Sequence, residues 1–104
     1  ATQNSEPFSL IHFGAFLAQD KKEIGLGLDI LNSFFRDALI FKETRKTQML
    51  INQDKSSFIA SIAERLSGEQ ILRNIALVER AGEAIERNSN KSLTLESMAF
   101  KLNY

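Results

Sequence analysis

An all-α fold, a compact bundle of five to six helices, is what this sequence predicts, on three observations. Apolar residues recur at spacings of three and four from Ile24 through Phe41, and again after residues 54, 68 and 91. Asp20–Glu23 and Ser67–Gln70 each have the spacing of a capping box, in which a side chain and a backbone N–H satisfy one another across the first helical turn. No run of alternating β-branched residues and no Asn-Gly or Asp-Gly pair offers a hairpin.

The only Pro, Pro7, stands where a first helix would begin, a position that needs no backbone donor. Phe8, Leu10, Ile11, Phe13, Phe16 and Leu17 then make residues 8–19 a short, broadly apolar helix. The Asp20 box opens a long helix over 21–43. Ile24, Leu28, Leu31, Phe35 and Ala38 form its stripe, widened by Gly27, Ile30, Phe34 and Phe41, with Asp29, Asn32, Ser33 and Arg36 opposite. Leu26 and Ile40 fall on that polar side and hint at a second contact with another chain. Residues 42–48 have no apolar period and read as a solvated connection, and Met49-Leu50-Ile51 is a short anchor.

Asp54 is the expected N-cap of a helix that carries Phe58, Ile59, Ile62, Ala63 and Leu66. The Ser67 box opens another, with Ile71, Leu72, Ile75, Val78, Ala81 and Ile85 inward and Glu69–Arg73 and Glu83–Arg87 as exposed i,i+4 pairs. Asn88-Ser89-Asn90 breaks it, and a last helix from Lys91 presents Leu95, Met98, Ala99 and Leu102 on one face.

With 104 residues the chain has length for one core. The polar stretch 1–6 reads as a linker or the remnant of a processed parent, and 7–104 as the helical domain. Thirteen basic and thirteen acidic residues cancel, so no overall field draws nucleic acid or an anionic membrane. Absence of Cys excludes thiolate chemistry and disulfides and fits a reducing compartment.

No residue pattern points to catalysis, a cofactor or a metal. His12, the only histidine, sits between Ile11 and Phe13 without the Lys or Gly pattern of a phosphotransfer site, and one His cannot supply a typical transition-metal site. Glu79, Glu83 and Glu86 alternate with Arg73, Arg80 and Arg87 as a solvated helix face does. Gly25 and Gly27 lie inside a helical pattern with no preceding strand, which is not a phosphate loop. Lys42, Arg45, Lys46 and Lys55 make a mild basic cluster, interrupted by Glu43 and Asp54 and without aromatics to stack bases.

Three stretches carry a family resemblance. Phe34-Phe35-Arg36-Asp37-Ala38-Leu39-Ile40-Phe41-Lys42 resembles the aromatic-Arg-Asp-aliphatic segment, closed by Lys, of the C-terminal domains of bacterial clamp-loader delta-prime subunits. Leu50-Ile51-Asn52-Gln53-Asp54 is similar to the Leu-x-Asn-x-Asp that follows it there after a short variable loop. Asn88-Ser89-Asn90 with Leu93-Thr94-Leu95-Glu96 resembles the closing Asn-x-Asn, Leu-x-Leu-Glu. The likeness runs over about residues 20–102. It departs where the family often has Trp in place of Phe34 or Phe35, and Pro where Lys91 stands. The related gamma/tau and delta subunits also end in helical collars.

The resemblance implies a non-catalytic, cytoplasmic collar domain. It would join the C-terminal domains of gamma/tau and delta subunits into the pentamer that loads the sliding clamp of DNA polymerase III. ATP and DNA would be handled by other modules, with no cofactor, direct nucleic-acid contact or membrane contact here. Leu26, Arg36, Asp37, Ile40, Asn52 and Asp54 are the candidate interface or motif positions. The alternative is a stand-alone helical adaptor that binds a partner helix or peptide.

Overall fold

The computed structural model describes residues 20–104. The expected helix over 8–19, His12 included, lies outside them. Among the described residues the chain is helical without a strand: α1 (Lys21–Thr44), α2 (Ser56–Arg65), α3 (Gly68–Glu86) and α4 (Lys91–Lys101), with single 3-10 turns at Thr47–Met49 and Gln53–Lys55. Four α-helices thus stand among the described residues, against five to six expected of the whole chain. The connection between α1 and α2 is built from the two 3-10 turns.

Both capping boxes form. Asp20 Oδ1 accepts from the Glu23 N–H at 2.9 Å, and Ser67 Oγ from the Gln70 N–H at 3.1 Å, while Glu23 and Gln70 reach back to the cap backbones. Asn90 Oδ1 does the same for α4, accepting from the Leu93 N–H at 2.8 Å. Such caps are worth about 1 kcal/mol each, because they satisfy donors that have no intrahelical partner. The exception is α2. Asp54 is not its N-cap: it sits inside the second 3-10 turn, Lys55 holds the cap position, and no side chain bonds there. The turn feeds directly into the helix, with the Ser56 N–H bonded to the Gln53 carbonyl, so the start is made by backbone alone.

The core is assembled where α1 crosses α3 and α2. Ile24, Phe35, Ile59, Ile62, Ile71 and Leu95 are fully buried, and Leu28, Val78, Ile85 and Met98 nearly so. Burial of each such side chain contributes about 2 kcal/mol, the term that turns amphipathic segments into one domain. Phe34 and Phe58 meet edge to face, ring centroids 5.7 Å apart, and fasten α1 to α2. Lys42, expected where the long helix passes into the solvated connection, lies in α1 and donates from Nζ to the Ala63 carbonyl at 2.8 Å, closing the C-terminal end of α2.

Two asparagines are buried where apolar periodicity gives no sign of them. Asn74 occupies the buried stripe of α3, and Leu72, expected inside, is exposed. The stripe runs Ile71, Asn74, Val78, Ala81, Ile85, which turns Leu72 outward. A polar residue stands in that stripe because it has partners there. Asn74 Nδ2 donates to the Asn103 carbonyl at 2.8 Å and Oδ1 accepts from the Asn103 N–H at 2.9 Å, tying the C-terminal residues to α3. Asn32, expected on the solvent side of α1, is buried and donates to the Ile75 carbonyl at 3.2 Å.

Helix ends complete the frame. Asn88, at φ 66°, closes α3 in a Schellman turn, with the Ser89 N–H on the Ala84 carbonyl and the Asn88 N–H on the Ile85 carbonyl, both at 2.9 Å. Arg45, at φ 57°, ends α1, and its guanidinium lies over the Phe41 ring at 5.4 Å. Of the two expected ion pairs on α3, Glu69–Arg73 stands at 4.0 Å. Arg87 has left the helix as its C-cap and makes no pair with Glu83 among the described residues.

Candidate subunit interface

The reverse side of α1, away from the Ile24–Phe35 stripe, exposes one of the candidate positions, Leu26. Leu26 and Ile30, one turn apart, are each 56% exposed. Ser33 and Asp37 continue the same line. Ile30, expected in the core stripe, therefore takes the outward place given to Ile40, which is half-buried and packed against the core.

Asp37 and Arg36 are not a surface pair. Asp37 is fully buried and receives three hydrogen bonds across the connection: from the Ile51 N–H at 3.0 Å, the Asn52 N–H at 2.8 Å and Asn52 Nδ2 at 2.9 Å. Asn52 Nδ2 also donates to Ser33 Oγ at 3.1 Å. A carboxylate taken from water is tolerable only when its lone pairs are met in this way. The clamp fixes the segment after the first 3-10 turn against α1 and leaves Ile51 outward, 74% exposed. Arg36 instead points to Glu79 on α3, 3.9 Å away, with both side chains more than half exposed. Such a pair contributes little to stability. Asp54 is exposed and joins neither arrangement.

A second exposed surface lies on α4, outside the positions that the sequence singles out. Leu93 and Phe100, two turns apart on one face, are 68% and 91% exposed. Beside them runs a groove of about 340 Å³ between α3 and α4, floored by Leu77, Ala81, Ala84 and Met98 and edged by Arg80 and Lys101. The period of α4 follows Leu95, Met98 and Leu102, which places Leu93 and Phe100 off the core stripe; that offset is the readable signal.

On the other flank of α3, against α1, lies a groove of about 470 Å³ with Asp29, Glu79, Glu83 and Glu86 on its walls. No group of three or more His, Asp or Glu side chains among the described residues is placed to hold a metal ion. No helix among them is long and apolar enough to cross a membrane.

Neither a curated protein nor a solved structure matches the chain significantly. A family model described as DNA polymerase III, delta subunit, C terminal matches residues 1–103. The match takes in both exposed surfaces and the Asp37–Asn52 clamp, and the chain belongs to that family of C-terminal domains of clamp-loader subunits.

Proposed function

We propose that the chain, taken as a helical collar domain over 7–104, is a non-catalytic assembly module of the delta-prime type. It joins the C-terminal domains of neighbouring clamp-loader subunits, gamma/tau and delta, in the cytoplasm. The observation that carries this reading is the bare Leu93–Phe100 ridge beside the α3–α4 groove. A Phe side chain left in water forgoes about 2 kcal/mol that burial would supply, and a ridge rimmed by polar groups is the usual form of a docking surface. The groove pair adds to it. One flank of α3 is apolar with Arg80 and Lys101 at its edge, the other is lined with carboxylates, so the domain has two chemically different sides. A member of a side-by-side ring needs two different sides, one for each neighbour.

The delta-prime assignment rests on the resemblance of the motif segments. The clamp gives that resemblance a physical content: Asp37 of the first segment holds Ile51 and Asn52 of the second, so the two motifs act as one unit.

Co-elution of the chain with the C-terminal domains of the other clamp-loader subunits tests the reading. A defined hetero-complex is expected, weakened at least tenfold by Phe100→Glu, whose side chain is already outside the fold. Separate monomers at high concentration would remove the collar reading and leave the helical adaptor.

A further inference from the structure

We propose that the acidic groove between α1 and α3 is the seat of an arginine side chain supplied by a neighbour in the clamp loader, an inference that rests on the collar reading above. Three independent features converge on it. The first is charge. Asp29, Glu79, Glu83 and Glu86 line the groove against one cation, Arg36. Arg36 reaches only Glu79, at 3.9 Å, and Asp29, Glu83 and Glu86 make no ion pair among the described residues.

The second is an unanswered acceptor. Asn32 lies in the groove wall at 3% exposure, and its Oδ1 has no hydrogen-bond partner among the described residues. Its orientation is forced. Nδ2 faces the Ile75 carbonyl, an acceptor only, so the amide cannot be turned over to bring Oδ1 there. A buried carbonyl oxygen without a donor costs about 1–3 kcal/mol, and the group that would relieve it must bring N–H. The third is space. Gly25 and Gly82 both line the groove, and a Cβ built on Gly25 meets none of the described residues within 4 Å. A glycine inside a helix costs about 1 kcal/mol relative to alanine, and no contact among the described residues requires one at Gly25.

These features describe the occupant. It is cationic, because the walls are anionic. It donates hydrogen bonds, because Oδ1 only accepts. It has room to lie close to the helix backbone, because Gly25 and Gly82 line the groove. A guanidinium meets all three, with five donors in a planar fork that serves a neutral oxygen and flanking carboxylates together; the compact ammonium of lysine offers no such fork. In binding it would take up the carboxylate that Arg36 holds loosely.

The test is the affinity of the chain for the C-terminal domains of its clamp-loader neighbours, measured across a salt series. Four forms are compared: wild type, the double variant Glu79→Arg/Glu83→Arg, Asn32→Leu, and Glu64→Arg on α2 as a reversal away from the groove. The double variant changes exposed residues only, so its helical circular dichroism is expected to match wild type. A loss of at least tenfold in affinity, a flatter salt dependence, a smaller loss for Asn32→Leu and none for Glu64→Arg are expected. A wild-type complex that the double variant forms equally well, or that Glu64→Arg weakens as much, overturns the arginine seat and leaves the collar reading standing. Absence of a wild-type complex overturns the collar reading, and this inference with it.

Discussion

Asn74 and Asn32 are both buried asparagines on neighbouring helices, and their surroundings differ in one respect. Asn74 uses both ends of its amide, donating to and accepting from Asn103. Asn32 uses one: its Nδ2 is met by Ile75, and its Oδ1 by none of the described residues. A fully answered amide is a fastening, since its cost of burial is offset inside the chain. A half-answered amide gives up stability that a leucine in the same place would not, and its position in a carboxylate-lined groove accounts for that loss as the reserve of a contact made by another molecule. Asp37 belongs with Asn74, every interaction directed to the chain itself.

Three substitutions press on this contrast. Asp37→Ala strands the Ile51 and Asn52 donors and the Asn52 amide together, and is expected to cost about 3 kcal/mol in denaturant unfolding. A loss below about 1 kcal/mol would mean that the clamp fastens nothing. Asn74→Ala is expected to cost about 1–2 kcal/mol, with faster amide exchange confined to the end of α4 and Asn103. Unchanged exchange there would erase the difference between the two asparagines. Gly25→Ala should have the smallest effect and the opposite sign, a gain of about 0.5–1 kcal/mol in helix stability, since its Cβ has open space. A loss instead would show that the groove is closed by this chain and not kept open for a partner.

How much of this was legible depends on how local each feature is. The helix starts at Asp20 and Ser67 could be read because a capping box is written within four residues. The stripe of α1 was equally plain from Ile24, Leu28, Leu31 and Phe35. Asp37 was not, because its position next to Arg36 reads as an ordinary surface pair, and its true partners stand 14 and 15 residues further on. The same applies to Asn32 and Asn74, whose partners lie 43 and 29 residues away. Periodicity assigns a polar residue to the outside and does not record that another helix brings a carbonyl to it. Of the candidate positions, Leu26 is exposed as its place in the pattern requires, and Ile40 changes places with Ile30. Leu93 and Phe100 escape a reading that follows only the core stripe of α4.

The Asp37 clamp has a consequence for the stretch it encloses. Asp37 holds the main chain at Ile51 and Asn52, and Lys42 bonds the end of α2, so both rims of the connection are pinned independently of what runs between them. Residues 45–49 are therefore a bridge between fixed piers, and Leu50 after them is held in the core. For a flexible segment, doubling the length adds only about 0.6 kcal/mol of closure entropy. Insertions or deletions in that span leave the angle between α1 and α2 where it is, which makes this loop the place where related chains are free to differ in length without altering the surfaces they present.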